Sequence, residues 1–234
     1  TVFPRYQRHG ALFFSFLVST PDNIAICSGN ETLTYQELNQ RANQLAHYLR
    51  EQGVRQETLI AIALERSVEL IVSILAVLKA GGAYVPLDVS YPIERLAFML
   101  DDTQAPIVLT QSHLEDKLPT SFVTQHVLLD EMAEELVDKS DSNLSTISTP
   151  DHLAYVIYTS GTTGQPKGVM ITQSNVQYYL HWFGITFHVT SADRFDFSSS
   201  LAFDFSVTVT LVPLSYGARI VIYPYQKEQN VEAY

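Results

Sequence analysis

The stretch best equipped for chemistry in this 234-residue chain is Tyr158 to Val169, YTSGTTGQPKGV, where an apolar strand runs straight into hydroxyls, glycines and a Pro-Lys-Gly finish. Glycines let a backbone turn tightly and aim its N–H groups at an anion, and serine and threonine add hydroxyl donors. Lys167 supplies a point charge suited to phosphate oxygens. Thr159, Ser160, Gly161, Thr162, Thr163, Gly164 and Lys167 are therefore the candidate phosphate-binding residues. The plainer alternative is a surface Ser/Thr/Gly turn, although such turns rarely follow so apolar a strand. A Walker A loop is disfavoured, because Pro166 stands five residues after Gly161, where that loop requires glycine.

A second candidate is Asp204, set between Phe203 and Phe205 and followed by Thr208. Among aromatic neighbours a carboxylate is expected to be buried, and burial is costly without a cationic partner. The structural alternative is that Asp204 caps a helix that follows it. The tetrad Phe-Asp-Phe-Ser occurs twice, at Phe195 to Ser198 and at Phe203 to Ser206, so two registers are open for such a site. The seven histidines show no metal-ligand spacing, and solvated or packed roles are the default for all of them.

The elements that must position these residues follow from the hydrophobic period. Thr34 to Gly53 reads as a helix, with Thr34 and Glu37 as a capping box and Leu38, Ala42, Leu45, Ala46 and Leu49 on one face. Leu59 to Leu64 suits a buried parallel strand. Ser67 caps a second helix that runs through Lys79 and stops at Gly81-Gly82. Ala83 to Leu87 is extended, Pro92 opens a helix to Thr103, and Ile107 to Thr110 is a strand. Further strands are expected at His126 to Asp130, Ala154 to Thr159 and Arg219 to Tyr223. Thr172 to Phe183 reads as a helix, as does Asp204 to Tyr216, where Val207, Thr208, Val209 and Thr210 run against helix propensity. Strands alternating with helices argue an α/β fold with a mainly parallel sheet. The polar segment Lys139 to Asp151 is either an interdomain linker or an exposed loop feeding the Ala154 strand.

Composition narrows the classes. With 46% apolar and 17% charged residues the chain is globular, and its net charge of −11 lacks the basic footprint of a nucleic-acid or anionic-membrane binder. A polyphosphate must then be held by local geometry against the overall field. Cys27 is the single cysteine, which removes a disulfide framework and fits a reducing cytoplasm. Ala11 to Val18 is apolar and follows Arg5 and Arg8, but it is short and lacks a cleavage pattern, so an amphipathic helix is expected there rather than a signal peptide. No stretch approaches the ~20 apolar residues of a membrane helix.

TSGTTGQPKG resembles the phosphate-binding loop of the adenylate-forming superfamily, which contains acyl-CoA synthetases, firefly luciferase and peptide-synthetase adenylation domains. Leu33 to Leu38 (LTYQEL) resembles the first core motif of nonribosomal peptide synthetase adenylation domains, and Leu78 to Asp88 (LKAGGAYVPLD) their second, which separates them from acyl-CoA ligases. Phe203 to Ser206 resembles the fourth, in the second register because Leu214-Ser215-Tyr216-Gly217-Ala218 continues as that family does. The resemblance runs from about residue 11 to the end of the chain.

It implies an α/β fold of mainly parallel sheets flanked by helices, with residues 1–234 as the N-terminal portion of one adenylation domain. It also implies two-step chemistry: ATP, assisted by magnesium, activates an amino acid as its adenylate, and the aminoacyl group passes to the phosphopantetheine thiol of a peptidyl carrier domain. Ser160, Thr162, Thr163 and Lys167 would then serve the β- and γ-phosphates, and Asp204 the substrate α-ammonium, with Phe203, Phe205 and Thr208 beside it. No residue of this stretch is expected to act as a nucleophile or other catalytic group. The family's adenine, ribose, magnesium and carboxylate contacts come from later motifs not found up to Tyr234, so the remaining part of the domain is an implied partner. Gln173 stands where many members have histidine, and no role is carried over to it. An acyl- or aryl-CoA ligase, or a silent fragment that needs a complementing chain, are the alternatives.

Overall fold

The computed structural model describes residues 20–120, 124–160 and 165–223. The helix expected at Ala11 to Val18 and the loop residues Gly161, Thr162, Thr163 and Gly164 lie outside the described residues. Two sheets carry the described chain. The first has the order Glu31–Thr34 (β2), Ile24–Ser28 (β1), Arg219–Ile222 (β10), Arg194–Phe197 (β9), and the second Gln125–Leu128 (β6), Ile107–Thr110 (β5), Leu59–Ile62 (β3), Ala83–Pro86 (β4), Leu153–Thr159 (β7), Lys167–Thr172 (β8).

The chain enters the first sheet through a hairpin that the hydrophobic period does not announce, β1 (Ile24–Ser28) and β2 (Glu31–Thr34). Helix α1 (Tyr35–Glu51) starts at the expected capping box. The Thr34 hydroxyl accepts the Glu37 amide at 3.2 Å, and the Glu37 carboxylate accepts the Thr34 amide at 2.8 Å. Each satisfies a backbone donor that a helix end leaves open. Strand β3 (Leu59–Ile62) leads through α2 (Val68–Ala80) to β4 (Ala83–Pro86), and α3 (Ile93–Thr103) leads on to β5 (Ile107–Thr110). These bounds match the expected elements to within two residues.

Alternation along the strands explains why the two helices lie on opposite faces. Ile60 and Ile62 join α2 in the larger core, whereas Ala61 and Ala63 join Leu96, Met99 and Leu100 of α3 in the smaller one. Strand β6 (Gln125–Leu128) and the short helix α4 (Ala133–Val137) follow, then β7 (Leu153–Thr159). From β6 through β7 every pairing in the second sheet is parallel, and β8 (Lys167–Thr172) closes its edge antiparallel to β7. From sequence, β8 reads only as the tail of a loop. Its Gly168 is set by packing, because a Cβ there would lie 2.9 Å from Val156 Cγ1.

The segment 139–151 crosses the α1–α2 pair on its way into β7. Asn43 Nδ2 donates to the Asp141 carbonyl at 2.7 Å, and Arg50 Nη2 donates to the Ser145 carbonyl at 2.7 Å.

Helix α5 (Gln173–Thr186) is capped by Thr172, β9 (Arg194–Phe197) is an element the sequence does not announce, and α6 (Phe205–Ser215) connects it to β10 (Arg219–Ile222). Both β9 and β1 pair parallel with β10. Helix α6 is buried from Ser206 to Leu214, against α5 and against the strands it joins. Its hydroxyls tolerate this because each is bonded: Ser206 donates to Leu201 O and Thr210 to Ser206 O.

Candidate functional site

The phosphate-loop residues that are described sit at the end of the β7–β8 hairpin. Thr159 pairs with Lys167 across it, and the Thr159 hydroxyl donates to the Lys167 carbonyl at 3.5 Å. Thr159, Ser160 and Lys167 are all exposed. Two hydroxyls and one ammonium therefore face solvent where the parallel strand β7 ends, the edge at which open α/β sheets take their ligands. That donor set suits a polyphosphate. The root of the hairpin is anchored on the opposite side, where the Tyr158 hydroxyl donates to Asp102 of α3 at 2.5 Å. Burial and the Asp102 carboxylate together push the Tyr158 phenol well above its ordinary range.

The two registers of the Phe-Asp-Phe-Ser tetrad separate in the fold. Phe195 to Phe197 lies in β9, with Phe197 fully buried, whereas Phe203 to Ser206 spans the entry to α6. Asp204 is the N-cap residue of α6, but its side chain makes no capping bond, so the capping alternative fails. The expected burial is also corrected. Asp204 is exposed, with Phe203 62% and Phe205 58% exposed on either side. Aromatic neighbours do not bury a carboxylate when they themselves point outward.

Thr208, one turn on, is buried and shares a hydrogen bond with the Tyr179 hydroxyl of α5. Tyr155 of β7 completes the group. Its phenol is pushed up to about 12, first by burial and then by the charges of Asp204 and Tyr179. Tyr155 in turn stacks obliquely on Tyr84 of β4, ring centres 5.4 Å apart. Tyr155 and Thr159 share β7, so the environment of Asp204 and the phosphate hairpin are separated by about 13 Å of strand.

Sequence reasoning missed the groups that hold this arrangement together. The Arg66 guanidinium, past the end of β3, donates to the Ser198 carbonyl, and Asp88, past the end of β4, accepts from the Ser200 hydroxyl at 2.7 Å. Pairs so distant in sequence leave no periodic signal. Tyr179 could have been suspected only from its place on the face of α5 that meets α6. Among the described residues no cluster of three His, Cys, Asp or Glu side chains could hold a metal ion. No described helix is long and apolar enough to cross a membrane.

An exposed pair of hydroxyls and an ammonium at the end of a parallel strand, with an exposed carboxylate at a helix entry, suit an α/β protein that takes a charged ligand at this edge. The model of the AMP-binding enzyme family matches residues 13–234, and the chain belongs to that family. Its relatives are narrower still. It is 45% identical over 220 residues to tyrocidine synthase 3 of Brevibacillus parabrevis, covering 94% of this chain and 3% of that protein. It is 42% identical to bacitracin synthase 3 of Bacillus licheniformis over 93% of this chain and 3% of that protein. To gramicidin S synthase 1 of Brevibacillus brevis it is 42% identical, over 94% of this chain and 20% of that protein.

Among solved structures, the nonribosomal peptide synthetase FmoA3 superimposes with a TM-score of 0.85 and 36% identity over 93% of this chain and 23% of that chain. Its AMPPNP-bound form gives 0.84 and 37%, over 92% of this chain and 22% of that chain. The chain thus spans a small part of the length of the relatives it matches.

Proposed function

We propose that this chain is the part of an amino-acid-activating adenylation domain that grips the triphosphate of ATP and the α-ammonium of the substrate. Ser160 and Lys167, with Thr162 and Thr163 of the same loop and the backbone of Gly161 and Gly164, serve the β- and γ-phosphates, and Thr159 bridges the base of the hairpin. Asp204 receives the ammonium, and Phe203, Phe205 and Thr208 shape the surroundings of the substrate. ATP, with magnesium, supplies an electrophilic α-phosphorus. The substrate carboxylate attacks it, a P–O bond forms, and pyrophosphate leaves with the broken one. The aminoacyl group then passes to the phosphopantetheine thiol of a carrier domain, releasing AMP. This chain contributes by positioning and by neutralising charge, so no protein nucleophile is needed.

One observation carries the reading. Asp204 is an exposed carboxylate at the entry of α6 that takes no part in capping its own helix. The names of the peptide synthetase relatives support the same substrate class. The test is Asp204→Ala in the intact domain, read by pyrophosphate exchange with the amino acid and with its des-amino analogue. Loss of a charge pair worth a few kcal/mol should lower kcat/KM for the amino acid by about a hundredfold, and leave the analogue and the KM for ATP within about threefold. An equal loss for both substrates would mean that Asp204 is structural.

A further inference from the structure

Because Asp204 makes no side-chain bond to its own helix, the place of its carboxylate is set by the backbone of the turn before it. That turn is short and fully traceable. Phe203 N donates to Ser200 O at 3.2 Å, and Ser206 N donates to Phe203 O at 3.0 Å. The Ser206 hydroxyl, fully buried, donates to Leu201 O at 3.1 Å. The side-chain tie from the turn to β4 runs through Ser200, whose hydroxyl accepts the Ala202 amide at 3.2 Å and donates to Asp88 Oδ2 at 2.7 Å. Asp88 is itself fixed, because its Oδ1 accepts both the amide and the hydroxyl of Ser90, at 3.0 and 2.6 Å. A second tie, from Arg66 to Ser198 O, holds the same turn to the end of the neighbouring strand.

We propose that Asp88 is a positioning residue for amino-acid recognition: through Ser200 it fixes the 198–203 turn against the end of β4 and so sets where the Asp204 carboxylate lies. The inference rests on the reading of Asp204 given above and extends it to a residue just past the end of β4, 112 positions from Ser200 in sequence. The link suits the task. A hydroxyl donating to a carboxylate is a charge-assisted bond, short and directional. Burial alone would raise the Asp88 carboxyl, but the Ser200 and Ser90 bonds, with Arg95 nearby, hold it below its ordinary value and keep it ionised at neutral pH. Motion of Ser200 passes into the first turn of α6 through the Ser200 O–Phe203 N and Phe203 O–Ser206 N bonds, with no capping bond of Asp204 to oppose it.

The experiment uses the intact adenylation domain and the variants Ser200→Ala, Ser200→Thr and Asp88→Asn. Ser200→Ala and Asp88→Asn should each raise the KM for the amino acid about tenfold, with the KM for ATP and the KM for the des-amino analogue within twofold. Ser200→Thr, which keeps the hydroxyl, should restore the parent value. The double variant Asp88→Asn/Ser200→Ala should be no worse than Ser200→Ala alone, because the bond that Asp88→Asn weakens is the one Ser200→Ala removes. Amide exchange supplies a readout independent of substrate. Peptides covering 198–207 should exchange about tenfold faster in Ser200→Ala, and those covering 35–51 at the parent rate. Unchanged exchange in 198–207 would overturn the proposal, as would a loss shared equally by amino acid, analogue and ATP. If Asp204→Ala fails to separate amino acid from analogue while the exchange result holds, the ammonium reading falls and the Asp88–Ser200 link stands as an organiser of the turn alone.

Discussion

Helices α2 and α6 occupy equivalent places in the two sheets. Each links one parallel strand to its neighbour and each is buried along nearly its whole length. They are nonetheless finished in opposite ways. At its start α2 has Ser67, whose hydroxyl accepts the Leu70 amide at 3.2 Å, and at its end Gly81 in the left-handed region with φ 97°. Its residues are mostly Leu, Ile, Val and Ala, and both ends are closed by its own chain. Helix α6 carries Val207, Thr208, Val209 and Thr210 in succession, holds Pro213 inside it, and begins at a carboxylate that does not cap it. The first is built to be stable wherever it stands. The second owes its stability to what surrounds it, and its first turn stays available to a ligand. On the proposed reading, a helix entry that an aspartate could close, and does not, is where packing gives way to recognition.

The largest stability effect is expected at the closed end of α2. Gly81→Ala forces a side chain into the left-handed region and places a Cβ 2.6 Å from two carbons of Ile147. Strain and overpacking together should cost about 2–3 kcal/mol. Urea unfolding of the domain checks this, and amino-acid selectivity should not change. A loss under about 0.5 kcal/mol would mean that segment 139–151 gives way freely, and the account of α2 as rigidly closed would fail.

A smaller effect is expected from the buried cation of the same helix. Lys79 is 8% exposed, and its ammonium donates to Asn39 Oδ1 at 2.7 Å, Asn43 Oδ1 at 2.9 Å and Asn143 Oδ1 at 3.3 Å. Burial lowers its pKa from 10.5 to about 8. With the folded value depressed, the unfolded chain binds more protons between these limits, so stability rises with pH across that window. The tyrosines work the other way. Burial raises Tyr35 and Tyr155, so their contribution is present below the unfolded tyrosine value and is lost as pH climbs past it. The Lys79 effect is therefore read cleanly from pH 7.5 to 9.5, where a gain of about 1–2 kcal/mol is expected. In Lys79→Met the gain should vanish. A rise that persists in the variant would assign it to another group.

What could be read from sequence divides along the same line as the two helices. The Thr34–Glu37 box, the Ser67 cap and the stop at Gly81 are interactions within four residues or a single backbone requirement, and they appear where expected. The capping of α5 by Thr172 is of the same local kind. The end of the Ala154 strand was legible, but not the antiparallel strand β8 that carries Lys167, because Gly168 reads as a breaker until Val156 is seen against it. Strands β1, β2 and β9 are only partly buried and mixed in polarity, whereas the equally short β3, β4 and β5 are continuous apolar runs that stand out. The long-range ties are the least legible. Asp88 to Ser200, Arg66 to Ser198 and Lys79 to Asn143 join residues brought together only by the folded chain. The exposure of Asp204 was not legible, since Phe203 and Phe205 suggested a buried setting and in fact face outward.

The smallest effects make the sharpest comparison, because the same type of substitution is made at the same position of the two helices. Ser67→Ala removes a hydroxyl that satisfies a backbone donor of α2, and such caps are worth about 1 kcal/mol. Asp204→Ala removes a side chain at the N-cap of α6 that is exposed and bonded to no backbone amide. Only the weak attraction between a carboxylate and a helix start is lost, so stability should stay within about 0.5 kcal/mol of the parent. Paired urea titrations, with the unfolding slope fixed by the parent protein, resolve that difference. Activity should invert the order: Ser67→Ala keeps the parent kcat/KM for the amino acid, while Asp204→Ala loses most of it at nearly full stability. If Asp204→Ala instead destabilises as much as Ser67→Ala, the carboxylate is a cap that forms in solution, and the first turn of α6 is closed in the same way as that of α2.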